Sequence, residues 1–215
     1  MPRAPRPRRR GHVRGAHRAG EPGLTAALGP DLPALEAALL DPAQARTLPV
    51  HGTTASAVLV PLYVADGELH AVLTRRRGDL RRHAGEISFP GGRQDPEDPD
   101  LIATALREAH EEIGLPPEDV ALLGALTPTP TIATNYAIHP YVGLVEPGRE
   151  WTLSPREVDS VLEPSLGDLR AGFDRRRLVR RGLPFRTEVY VVGEQLIWGA
   201  TARILGDLLA RVPRG

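Results

Sequence analysis

The stretch that most constrains this chain runs from Gly85 to Leu115, reading GEISFPGGRQDPEDPDLIATALREAHEEIGL. Ile102, Leu106, Ala109 and Ile113 recur at i, i+4, i+7 and i+11, the period of a helix with one apolar face. Glu108, Glu111 and Glu112 stand at i, i+3 and i+4 on a different face, so three carboxylates converge within about one turn. Their repulsion costs stability unless a cation sits among them. Hard oxygen donors of this kind suit Mg²⁺ or Mn²⁺, which keep several waters and take phosphate oxygens as further ligands. Arg107, four residues before Glu111, is placed to hold that carboxylate. Upstream, Phe89-Pro90-Gly91-Gly92 predicts a tight loop whose backbone can approach a ligand, or lend the Gly92 carbonyl to the metal. A charged helix face is usually just solvated. Here the acids follow an arginine, precede Ile113-Gly114-Leu115 and lie downstream of a double glycine, and that combination predicts a diphosphate-and-metal site. His110 points roughly 160–200° from Glu112 and Glu108 and stays outside it.

These residues resemble the Nudix box, G-x5-E-x7-R-E-U-x-E-E-x-G-U with U aliphatic. Arg107-Glu108-Ala109-His110-Glu111-Glu112-Ile113-Gly114-Leu115 matches its second half position by position. The first half departs: counting back from Arg107, the family's lone Glu falls on Pro99 and its Gly on Arg93, while Asp95, Glu97, Asp98 and Asp100 crowd the interval. Directly upstream, the stretch from Leu73 to Gly92 is similar to the signature of the coenzyme A diphosphatase branch, roughly LLT-x-R-[SA]-x3-R-x3-G-x3-FPGG. Leu73, Thr74, Arg76, Arg81, Gly85 and Phe89-Pro90-Gly91-Gly92 fit, whereas Val72 and Arg77 replace its first Leu and its small residue. Ile197 to Leu205 also resembles that branch.

With 215 residues the chain predicts one domain large enough for a proper core. Net charge is zero, which argues against nucleic acid as a partner and leaves any steering local. There is no cysteine, so disulfides, thiol nucleophiles and cysteine-zinc sites are excluded, which fits a cytoplasmic location. The longest apolar stretch, Ala57 to Val64, is far too short to span a bilayer, so no membrane partner is expected. Residues 1–22 hold seven arginines ahead of the first acid, Glu21, with no apolar period, and are expected to be a disordered basic tail. The hydrolase domain is expected over 23–215.

Leu32, Leu35 and Leu39 give a short helix an apolar stripe, with Asp31 as cap and Asp41-Pro42 as its end. Two strands, Ala55 to Val64 and Glu68 to Arg75, are joined by the hairpin signal Ala65-Asp66-Gly67, delivering Arg75, Arg76 and Arg77 to the end of the second. Val120 to Leu126 and Ala137 to Val145 read as strands around a Pro/Thr-rich loop, with His139 structural. Ser154-Pro155-Arg156-Glu157 reads as a capping box opening a helix or turn, which accounts for Glu157 without chemistry. Gly172 to Gly182, with five arginines, is expected to be an exposed loop. Phe185 to Val192 reads as a half-buried strand, and Ala200 to Val212 as a final helix burying Ile204, Leu205, Leu208 and Leu209. Intermixed strands and helices predict an α/β fold with a mixed sheet between helical layers. The Nudix resemblance implies the same α/β/α sandwich.

That resemblance also implies a Mg²⁺- or Mn²⁺-dependent hydrolase of coenzyme A or its derivatives, yielding 3′,5′-ADP and a 4′-phosphopantetheine species. Glu108, Glu111 and Glu112, with Gly92, would hold metal and Arg107 would orient a carboxylate. Arg76, Arg81, Gly85, Phe89, Gly91 and Gly92 would meet the substrate. The general base is left between Glu108 and Glu157. ADP-ribose hydrolysis is the nearest alternative, with Pro130 about fifteen residues past the box. A non-catalytic nucleotide- or RNA-binding protein is the alternative of another class, which intact Arg107, Glu108, Glu111 and Glu112 oppose.

Overall fold

Strand β1 (Thr54–Ala65) is the spine of the computed structural model, which describes residues 31–79, 85–131, 135–180 and 182–212. The expected basic tail lies outside the described residues, as does Arg81. Alternation along β1 sorts its side chains between two cores. Ala57 and Leu59 face one cluster, with Tyr63 packed against it, whereas Val60 and Leu62 face the other. Asp66 (φ 51°) and Gly67 (φ 79°) both take the left-handed conformation that a two-residue hairpin turn requires, so β1 folds back onto β2 (Glu68–Ala71) as expected.

The main sheet has the order β2-β1-β8-β6, with β8 (Tyr136–Leu144) parallel to β1 and β6 (Ala121–Ala125) antiparallel to β8. Two short strands extend it: β5 (Gly91–Arg93) pairs with β1, and β7 (Thr129–Pro130) with β8. Helix α3 (Leu101–Ile113) covers one face, and Ala105, Ala109 and Ile113 join Leu59 and Tyr141 in its core. On the other face, Leu35 of α1 (Asp31–Ala38), Leu169 of α4 (Leu166–Ala171) and Leu205 and Leu208 of α5 (Gly199–Arg211) pack with Val60, Leu62 and Phe89. The result is the α/β/α arrangement expected from the intermixed elements. Among the described residues, no helix is long and apolar enough to cross a membrane.

Two smaller sheets flank the sandwich. The chain leaves β2 at Val72, whose N–H is taken by Pro61 O, and enters β3 (Leu73–Arg76), the middle of a second sheet in which β4 (Ile87–Ser88) pairs on one side and β9 (Val158–Leu162) on the other. The single strand expected from Glu68 to Arg75 is therefore two. Its partner β9 follows a turn rather than a capped helix: Glu157 and Val158 N–H both return to Ser154 O. Asp41 does not close α1 but opens a further short helix, α2 (Pro42–Thr47), its carboxylate accepting from Ala43 and Gln44 N–H. The arginine-rich segment expected as a loop is mostly strand β10 (Phe173–Arg180), the edge of a third sheet with β11 (Leu183–Val192) and β12 (Gln195–Trp198). Its charges sit on an exposed ribbon, with Arg175 paired to Glu188 and Arg176 to Asp174.

Candidate active site

Helix α3 starts where Asp100 accepts a hydrogen bond from Ala103 N–H at 2.8 Å, and ends at Gly114, whose φ of 68° stops it. Its buried stripe is Leu101, Thr104, Ala105, Ala109, Glu112 and Ile113, so one glutamate lies on the inward face rather than with its neighbours. Strand β5 lies hard against both β1 and this helix. A Cβ on Gly91 would strike Ala57 O and Val58, and a Cβ on Gly92 would fall on the carboxylate of Glu108. The double glycine is thus a strand whose missing side chains admit β1 on one side and the acids of α3 on the other.

Arg107 organises the outer half of this corner. Its Nε donates to Asp98 Oδ1 at 2.9 Å and its Nη2 to Asp98 Oδ2 at 3.0 Å, a bidentate fork. Nη1 lies 3.0 Å from Glu108 and 3.2 Å from Glu111, and Nη2 also donates to Arg93 O at 3.2 Å. The fork holds the Asp98 carboxyl down at about 2, helped by the Asp95 N–H and the Thr104 hydroxyl. Of the acids that crowd the interval before the helix, Asp98 is thus the one that Arg107 grips. It is the one organising residue of the corner that counting back from Arg107 missed.

The inner half belongs to Arg76 and Glu112. Glu112 is 3% exposed, and burial pushes its carboxyl up to about 8, against the pull of Arg76 and with Glu108 and Glu157 adding to the rise. Its Oε1 lies 3.5 Å from Arg76 Nη1, the Gly91 N–H donates to the carboxylate, and Oε2 is buried with no partner. Arg76 Nη2 lies 3.9 Å from Glu157 Oε2, so residues of α3, β3 and the turn before β9 meet here. A β-bulge between Arg75 and Arg76 against β9 marks the point where β3 leaves regular pairing. Burial also raises the Glu108 carboxyl, with Arg107 opposing it.

The chain matches the NUDIX domain over residues 53–181. It belongs to the Nudix family. An uncharacterized Nudix hydrolase, NudL, of Photorhabdus laumondii subsp. laumondii is 39% identical over 159 residues, covering 73% of this chain and 84% of that protein. Its counterpart in Citrobacter koseri is 38% identical over 159 residues, covering 73% and 82%. Among solved structures, a C. elegans Ap4A hydrolase binary complex is 19% identical with a TM-score of 0.46, covering 54% of this chain and 82% of that one.

Nudix hydrolases generally use divalent cations, and the residues of this one fit such an ion. Glu112 Oε2 is a buried oxygen without a donor, Gly92 leaves the Glu108 carboxylate uncovered by any side chain at that position, and every candidate ligand is a hard oxygen. Among the described residues, no three Asp, Glu, His or Cys side chains already stand as a metal cage; Arg76 and Arg107 hold the carboxylates instead.

The expected site residues fall into three groups. Arg76, Gly91, Gly92, Arg107, Glu108 and Glu112 are brought together, with Glu111 at the solvent rim, 58% exposed. Gly85 lies at a turn (φ 69°) whose N–H meets Arg76 O, beside the corner but not in it. Phe89, at 2% exposure, is packed in the core with Leu62 and Ile197, so its ring lies beneath the corner and supports the loop. The capping role expected for Glu157 is corrected. The Ser154 N–H goes to Glu112 O and the Glu157 N–H to Ser154 O, and the half-exposed Glu157 carboxylate faces Arg76. His139 is buried in β8, in keeping with a structural role.

Proposed function

We propose that this Nudix hydrolase cleaves the diphosphate of coenzyme A or its derivatives to 3′,5′-ADP and a 4′-phosphopantetheine species, acting through residues 23–215 in the cytoplasm. The observation that carries the reading is the position of Arg76. It stands near the start of the stretch resembling the coenzyme A branch and lies 3.5 Å from Glu112 in the stretch resembling the Nudix box. Two sequence signals about thirty residues apart therefore serve one corner.

In this reading Glu108, Glu111 and Glu112, with the Gly92 carbonyl, hold Mg²⁺ or Mn²⁺. Bound there, the ion offsets charge on the bridging oxygen and lowers the pKa of a water. Arg107, fixed by Asp98, keeps the Glu108 and Glu111 carboxylates oriented. The Gly91-Gly92 backbone, bare of side chains, lets a diphosphate approach closely. Arg76 and Arg81 meet its phosphates, the latter as an expectation from sequence alone. Glu108 or Glu157 takes the proton of the attacking water. Glu157 is the more accessible of the two, at 50% against 16% side-chain exposure.

The test is a panel of CoA, ADP-ribose, NADH and dinucleoside polyphosphates incubated with Mg²⁺ or Mn²⁺, with products identified by mass. CoA should give the highest kcat/KM, with 3′,5′-ADP among the products. A preference for ADP-ribose overturns the assignment.

A further inference from the structure

We propose that Arg76 is the built-in counter-cation of the acidic corner, exchanged for the divalent ion and then turned toward the substrate's phosphates. The proposal rests on the reading of this corner as a metal-and-diphosphate site, and adds to it a coupling between metal and substrate through one side chain.

Whenever it ionises, a carboxylate as buried as Glu112 demands a compensating charge. Arg76 supplies it while also reaching Glu157, one terminal nitrogen to each acid, at 3.5 and 3.9 Å. These contacts are loose. The other arginine of the corner, Arg107, grips Asp98 at 2.9 and 3.0 Å and Glu108 at 3.0 Å. One guanidinium is fixed and the other is held only by longer-range attraction. A divalent ion brings twice the charge and bonds oxygen at about 2.0–2.1 Å, so it takes the carboxylates from Arg76 rather than sharing them.

Release would be confined to the side chain. The Arg76 N–H is bound to Glu86 O, and its carbonyl accepts from Gly85 N–H, which pins the backbone on both sides. The guanidinium, 27% exposed, then stands at the mouth of the corner with its donors unpaired, where a phosphate is its natural partner. Metal binding would thus prepare the phosphate contact.

The experiment compares the full chain with Arg76→Ala and Arg76→Lys, by Mn²⁺ titration followed by electron paramagnetic resonance without substrate. Melting temperature is measured in parallel in EDTA and in saturating Mg²⁺. Losing a competitor worth one charge-assisted contact should tighten Mn²⁺ binding by about tenfold or more. By linkage, Arg76→Ala should melt below the wild type in EDTA and close to it in Mg²⁺. Arg76→Lys keeps the charge but cannot span both acids, so it too should bind Mn²⁺ more tightly, and it carries the test should the alanine variant not fold. Equal melting deficits in both conditions with unchanged Mn²⁺ affinity overturn the proposal in favour of a purely structural arginine. A lysine variant matching the wild type, with only alanine tighter, overturns it in favour of a long-range field. Should the wild type bind no Mn²⁺ that Glu112→Gln abolishes, the metal reading itself fails, and this proposal with it.

Discussion

Two acids of the corner show how residue environment sets opposite pH behaviour. Asp98, bound by the Arg107 fork, has its carboxyl depressed to about 2, so the pair stabilises the fold above the ordinary carboxylate range and is lost as pH falls through about 2. Glu112, raised to about 8 by burial, behaves in reverse. Its neutral form suits the folded protein, a contribution that is whole below the ordinary carboxylate range and lost as pH rises through about 8. Thermal melts in EDTA should therefore show falling stability between about pH 5 and pH 8, a slope that Glu112→Gln flattens. A variant with the wild-type slope would place the titration elsewhere. Replacing Asp98 by alanine removes the fork but leaves Arg107 its Glu108 and Glu111 partners, and should cost about 1.5–3 kcal/mol at neutral pH in denaturant titration. A change of a few tenths would reduce the fork to surface decoration.

At the scale of elements, the site depends on how closely β5 approaches α3. Gly92→Ala puts a methyl group on the Glu108 carboxylate and must push either the strand or the acid aside. Overpacking of this kind costs about 1–3 kcal/mol, and the displaced acid should lower turnover by about tenfold or more. Full activity with an unchanged melting curve would show that Glu108 has room to move. The helix itself was readable from the sequence through its apolar period, and the structure adds its Asp100 start and its Gly114 stop. Its burial was not readable. The period places the acids together on a polar face, whereas in the fold Glu112 turns inward, where the Gly91 N–H and Arg76 meet its carboxylate. Strand β9 was hidden because Ser154-Pro155-Arg156-Glu157 carries helix-start residues that here form only a turn. Strand β10 was hidden because an exposed edge ribbon carries a run of arginines, Arg175 to Arg177, where a buried strand would alternate apolar residues. Asp98 was missed because counting residues cannot see which of the acids crowding the interval, two of them joined in the turn from Asp95 to Asp98, Arg107 grips.

Over the whole molecule, two apolar clusters on either face of one mixed sheet supply the frame, and the acidic corner sits where the flanking β4-β3-β9 sheet meets α3. Residues 1–22 have no apolar period with which to join either cluster, so deleting them should leave melting temperature and turnover nearly unchanged; a fall of several degrees would show that the segment docks. The central claim is that this corner performs the hydrolysis, and turnover of CoA by Glu112→Gln at limiting and saturating Mg²⁺ tests it most directly. The amide keeps the volume of the buried side chain while removing its charge. The account predicts a folded protein, with a melting curve close to wild type in Mg²⁺, whose kcat falls by more than about 100-fold at limiting Mg²⁺. Wild-type turnover at limiting Mg²⁺ in that variant would contradict it.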